Sequence, residues 1–95
     1  MLKVVAQFFF RNEEVEKALT LARELVVETR KEKGCIRYEL CQNPEKETHI
    51  AFIEEWESQA ALDAHFQTPH FVDLVPRIQA LTERELIINT FKTLA

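Results

Sequence analysis

An α+β domain of the ferredoxin-like βαββαβ kind, built on one four-stranded antiparallel sheet, is the fold class this sequence predicts. Apolar patterning runs strand, helix, strand, strand, helix, strand along residues 1–95, with no linker, repeat or low-complexity tract, so one domain is expected. Right-handed crossovers in that order place the helices together on one face of the sheet. The first and last strands are apolar on both sides: Val4 and Val5, Phe8 to Phe10, and Leu86 to Ile88 run together. Strands apolar on both faces are buried on both. Helices cover one face; a second copy of the chain is expected on the other.

The first strand, Lys3 to Phe10, is dense in β-branched and aromatic residues. Asn12 follows as a helix N-cap, with Glu13, Glu14 and Glu16 in the electropositive first turn. Val15, Ala18, Leu19, Ala22, Leu25 and Val26 recur at helical spacing and form one apolar face. Gly34, the sole glycine, stands where that helix has to stop, because glycine tolerates the left-handed conformation of a helix C-terminus. Ile36 to Cys41 reads as the second strand, with Ile36, Tyr38 and Leu40 on one face. Asn43-Pro44-Glu45-Lys46-Glu47 has hairpin-loop composition, and His49 to Trp56 forms the third strand. Ser58 caps a short helix reaching Phe66. Thr68 and Pro69 are N-cap and first residue of the next, which carries Phe71, Leu74, Val75 and Ile78 inward. Pro76 is expected to kink or divide that helix, since it lacks a backbone donor and crowds the preceding turn. Glu85 to Phe91 is the last strand.

A chain this short buries only roughly 60–65% of its unfolded surface, so its core alone is marginal. Seven phenylalanines with no disulfide framework favour burial by self-association, and a homodimer is expected. The formal charge of −4, with both signs interspersed, predicts no nucleic-acid partner. The densest basic group, Arg30, Lys31 and Lys33, is interrupted by Glu32 and complements a helix C-terminus. No apolar run is long enough to cross a bilayer, and Leu2 to Ala6 is too short for a secretory leader. Cys35 and Cys41, on one strand, lie on the order of 20 Å apart, beyond disulfide reach. No membrane partner and a reducing, cytoplasmic location are expected.

The segment Phe52 to Phe71 offers most of the chemistry. His65 and His70 flank Thr68-Pro69, and each is followed by a phenylalanine, Phe66 and Phe71. Imidazole titrates near neutrality, so it serves as acid or base without a large pKa change. The two histidines lack the helical i, i+4 spacing of a metal pair, His49 lies on another element, and no third ligand is obvious. No metal site is therefore expected. His65 is the candidate base and His70 the second. The bland alternative ties His70 to a loop carbonyl at the helix entry. Trp56 closes a strand and is expected to stack on Phe66 or Phe71 in the core. Tyr38 either lines a pocket or leaves its hydroxyl in solvent. Glu54 shares a face with Phe52 and Trp56, where a carboxylate is costly unless paired, for example with Arg37. Asn89 interrupts an apolar strand and, if buried, needs a partner, a ligand or an edge backbone group.

Gly34-Cys35-x-x-Tyr38, then Glu54-Glu55-Trp56-Glu57-Ser58, then Ala61-Leu62-x-x-His65-x-x-Thr68-Pro69-His70-Phe71 resembles the antibiotic biosynthesis monooxygenase (ABM) domain, and most of all its small quinol-monooxygenase-like members. The resemblance implies a dimeric α/β barrel, with two subunits packed sheet to sheet and a pocket in each between sheet and helices. It also implies oxygen chemistry without metal or flavin. A quinol or other electron-rich aromatic is deprotonated, and its anion passes an electron to O2. His65 and His70 become the catalytic candidates, with Tyr38, Trp56, Phe66, Phe71, Glu54 and Asn89 as the substrate-binding set. Haem-cleaving relatives carry an asparagine in the first strand, a tryptophan after the third and a later histidine. Here Gln7, Phe8, Ala64 and His65 stand instead, with no histidine beyond His70, so haem cleavage is not expected. Two other readings remain open. One is an isomerase or enolising enzyme on a small carbonyl compound, whose phosphorylated substrate would need Arg37 and Arg77 inward. The other is a non-catalytic binder of a small apolar molecule.

Overall fold

The computed structural model describes residues 1–95 and carries the expected order of elements: β1 (Leu2–Phe9), α1 (Val15–Thr29), β2 (Cys35–Asn43), β3 (Lys46–Trp56), α2 (Gln59–His65), α3 (Pro69–Gln79) and β4 (Ile87–Lys92). The strands pair in the order β2-β3-β1-β4, every neighbour antiparallel, which is the ferredoxin-like arrangement of the α+β class. Val4 of β1 faces Glu54 on one side and Thr90 on the other; Ala6 faces Phe52 and Ile88. This register puts Val4, Ala6, Phe8, Ile50, Phe52, Glu54 and Trp56 on the helix side, all buried. Ala18, Leu21, Ala22, Leu25 and Val26 of α1 and Leu74 and Ile78 of α3 close the core against them.

The phenylalanine run of β1 divides by pleat. Phe8 points inside, stacked on Phe10 at a centroid distance of 5.8 Å and edge-to-face with Phe52 at 5.6 Å. Phe9 points the other way, yet is buried because His49 stacks on it at 4.7 Å and the Arg84 guanidinium caps its ring at 3.7 Å. The β2–β3 hairpin tightens on Asn43, whose Oδ1 accepts from the Glu45 backbone N–H at 2.9 Å. Ser58 and Thr68 cap α2 and α3 as expected, accepting from Ala61 and Phe71 N–H groups.

Several local expectations are corrected. Asn12 makes no capping bond; it opens a single 3₁₀ turn, Asn12–Glu14, and α1 begins at Val15. Gly34 does not end α1, which stops at Thr29 through backbone turns from Lys31 N–H to Glu28 O and from Glu32 N–H to Thr29 O. Gly34 instead enters β2 at φ +91°, and a Cβ there would lie 2.6 Å from the Ala61 Cβ of α2. Ile36 does not share a face with Tyr38. The β2–β3 register slips between Cys35 and Arg37, a bulge that leaves Ile36 exposed and places Tyr38 opposite Glu54. Pro76 does not divide α3: the helix runs through it, with Pro76 on the exposed face, where water can serve a freed carbonyl. The outer side of β4 is not covered within one chain, with Ile87 46% and Phe91 55% exposed.

Candidate active site

Three connections converge on one corner of the helical layer. The short turns after α1 bring the Glu32 side chain inward until it is only 11% exposed. The end of α2 presents His65, and the first turn of α3 presents His70. Thr68 joins the two helices: its Oγ1 donates to the His65 carbonyl at 2.8 Å and accepts from Phe71 N–H at 3.3 Å. Glu32 Oε2 then lies 2.7 Å from His65 Nδ1 and 2.6 Å from His70 Nε2. A carboxylate only accepts, so both ring nitrogens donate to it. His65 is thereby fixed as the Nδ1–H tautomer, with the lone pair on Nε2, which makes no hydrogen bond within the protein. Aromatic rings enclose this imidazole, Trp56 at 4.6 Å, Phe71 at 4.9 Å, Tyr38 at 5.6 Å and Phe66 at 5.9 Å between centroids. Burial pushes the His65 pKa below its ordinary value, against the opposing pull of Glu32, so the ring is a neutral base at pH 7.

His65 opens onto a cavity of about 230 Å³ between the sheet and the helices. Of its 14 lining residues 11 are hydrophobic, among them Tyr38, Phe52, Phe66 and Phe71; the polar three are Glu54, His65 and Gln79. Glu54 is 5% exposed, and its Oε1 accepts from the Trp56 indole N–H at 2.9 Å. Burial raises its carboxyl to about 7, helped by the charge of Glu32 and opposed by the indole bond. Tyr38, also buried, has its phenol pushed well above the ordinary value by burial and then by Glu54, so it is a hydrogen-bonding group rather than a base. Cys35, raised to about 11 by burial and nearby carboxylates, is not a thiolate nucleophile. A wider hollow beside the α3–β4 connection, lined by Gln79, Thr82, Glu83, Arg84, Glu85 and Leu86, is an open polar depression without an acid–base constellation.

The model of one family, antibiotic biosynthesis monooxygenase, matches residues 1–77. The chain belongs to the antibiotic biosynthesis monooxygenase family. It is similar to a crystal structure described as an antibiotic biosynthesis monooxygenase, 41% identical with a TM-score of 0.96 and full coverage of both chains. It is 32% identical over 77 residues to the uncharacterised Synechocystis protein sll1783, covering 81% of this chain and 52%, about half, of that relative. It is 29% identical to Bacillus subtilis YcnE, provisionally named a monooxygenase, over 90% of each chain.

In this ABM domain the predicted site residues fall into three groups. His65, Tyr38, Phe66, Phe71 and Glu54 meet at the cavity. His70 and Trp56 stand behind it: His70 shares the Glu32 carboxylate with His65, the two rings 6.3 Å apart, and Trp56, fully buried, packs on His65 rather than on Phe66 or Phe71. Asn89 is elsewhere, exposed on β4 opposite Val5, on the far face of the sheet from the cavity. Glu54 is partnered by Trp56 and not by Arg37, which is exposed and pairs in register with Glu55.

Glu32 was not among the expected site residues. Its trace in the sequence is an acid interrupting a basic cluster two residues before the only glycine. It also supplies the third ligand type that two histidines lacked, with the Glu32, His65 and His70 atoms all within 4.8 Å. As arranged, the oxygen is at hydrogen-bond distance from both rings, whereas ligands about 2.0–2.2 Å from a tetrahedral zinc stand about 3.3 Å apart. In this geometry Glu32 Oε2 accepts one hydrogen bond from each ring.

Proposed function

We propose that this ABM protein is a monooxygenase that oxidises a quinol or small phenol with O2 and needs no cofactor. The observation that carries the reading is the buried His65 imidazole, tied at Nδ1 to Glu32 and left free at Nε2 beside an apolar, aromatic cavity. The cofactor-free chemistry comes from the family resemblance. His65 Nε2 accepts the phenolic proton, and Glu32 stabilises the imidazolium that results. The apolar walls exclude water from the anion, which then passes an electron to O2. One oxygen atom ends on the ring and the other leaves as water. Two alternatives lose support. No lysine or arginine lines the cavity, Arg77 pairs with exposed Asp73 at 3.1 Å, and so a phosphorylated carbonyl substrate finds no cation there. A purely apolar binder does not need two titratable groups in its wall.

The working unit on this reading is a homodimer packed outer face to outer face. Val5, Ala51 and Ile53 are half-buried there and Ile87 and Phe91 exposed, interrupted by Gln7 and Asn89, and so much uncovered apolar surface on a small chain favours a partner. The test is O2 uptake together with product formation from menadiol and related quinols. Wild type is expected to exceed the uncatalysed rate. His65→Ala should return it to background, and Glu32→Gln should lower kcat by about 10²-fold with little change in KM. Uptake at the background rate for every quinol sinks the oxygenase.

A further inference from the structure

The cavity has a second polar pole, and the base does not use it. Glu54 sits on β3 between Tyr38 of β2 and Val4 of β1, its Oε1 occupied by the Trp56 N–H at 2.9 Å. Its Oε2 has no hydrogen-bond partner in the protein. The ionisable groups around it are Tyr38, Cys35 and Glu32, none of them a cation, together with His65 across the indole. A carboxylate in such a wall is costly, whereas a neutral carboxyl offers one O–H donor. With Oε1 accepting from Trp56, that donor is Oε2, and it faces apolar surroundings unless a ligand supplies an acceptor.

We propose that Glu54 is a specificity-determining residue: as a neutral carboxyl it donates to a second oxygen of the substrate while His65 takes the proton of the first. The preferred class is therefore an aromatic carrying two oxygen functions, a hydroquinone or hydroxyquinone skeleton, over the monophenol of the same frame. One indole contacts both groups, its N–H on Glu54 and its ring 4.6 Å from the His65 ring, so a single side chain sets the spacing of the two poles. This rests on the proposed reading of the site in taking His65 as the group that meets the phenolic hydroxyl. A substrate lacking the second oxygen leaves a buried donor unpaired, which is the situation in which hydrogen-bonding sites discriminate most strongly.

Anaerobic binding tests this without requiring oxygen chemistry. Trp56 is the only tryptophan, so its fluorescence reports occupancy directly. The probes are 1,4-dihydroxynaphthalene, 4-methoxy-1-naphthol, which keeps the acceptor, and 1-naphthol, which lacks it. Wild type is expected to bind the first two at least about tenfold more tightly than 1-naphthol. Glu54→Gln, which keeps a donor, should retain that preference, and Glu54→Leu should abolish it by binding 1-naphthol more tightly than wild type does. Equal binding of all three probes by wild type, binding of none, or a preference that survives Glu54→Leu overturns the inference. If the leucine variant does not fold, loss of the preference in Glu54→Gln serves as the overturning result. Background O2 uptake with the diol preference intact defeats only the oxygenase reading; normal uptake without the preference defeats only the role of Glu54.

Discussion

Glu54 is a side chain whose ionisation bears on stability near neutral pH. Its carboxyl is raised from 4.5 to about 7 in the fold, so between those values the native state binds a proton that the unfolded chain has released. Its contribution is complete below 4.5 and disappears as pH rises through 7, corresponding to about 3 kcal/mol. His65 works in the other direction: its lowered pKa contributes above 6.5 and that contribution is lost as pH falls through the folded value. Urea unfolding of wild type and Glu54→Gln at pH 5 and pH 8 separates the two. The glutamine variant should gain about 2.5 kcal/mol relative to wild type between the lower and the higher pH, and a difference independent of pH would contradict the buried titration. That Glu54 faces inward was legible in the alternation with Phe52 and Trp56. Its partner was not, because the bulge at Ile36 puts Tyr38 rather than Arg37 opposite it. Residues two apart on one strand, such as Glu54 and Trp56, share a face; that an indole N–H reaches back to the carboxyl is rotamer geometry, invisible in composition.

At the level of elements, periodicity and caps carried most of the reading. α1 and α3 follow their apolar spacing, and Ser58 and Thr68 cap where polar residues precede helical runs. What composition does not signal is how a helix ends when backbone turns alone end it. Those turns after Thr29 aim Glu32 inward, so the residue that organises both histidines sits in the least predictable connection. Gly34 serves this corner rather than the helix. Its positive φ and the 2.6 Å approach to Ala61 let α2 press against the start of β2, and its carbonyl accepts from Glu57 N–H at 2.9 Å. A side chain there meets conformational strain of about 1–3 kcal/mol before the overlap with Ala61 is relieved. Gly34→Ala should therefore lower the unfolding free energy by more than that strain alone. It should also reduce His65-dependent turnover, because α2 carries His65. Chemical denaturation and O2 uptake on the same preparation check both; a variant as stable and active as wild type would show that this packing is loose.

The whole molecule shows the balance between one core and one exposed sheet face. Everything that forms the cavity comes from a single chain, while Ile87 and Phe91 on the other face of the sheet stay about half exposed. The poor alternation of the first and last strands already pointed to two apolar faces. A single chain buries the helix-side face and, on the other, little beyond Phe9, and the pattern by itself does not identify the cover. Ile53 lies near the middle of the open face, between Val5 and Glu39 in register, and its side chain contributes nothing to the cavity. Placing a charge there leaves the helix-side core untouched but would bury an unpaired carboxylate in a sheet-to-sheet interface, which is strongly disfavoured. Wild type is expected to sediment at twice the chain mass at micromolar concentration, and Ile53→Asp at the chain mass. The variant should be less stable, because its exposed face loses the cover that a small core depends on. Its remaining activity, however, should still vanish on adding His65→Ala, because Glu32, His65, His70 and Glu54 all belong to one subunit. Sedimentation of wild type as a monomer would remove the dimer without touching the site, whereas a dimer that survives Ile53→Asp would move the interface to another surface.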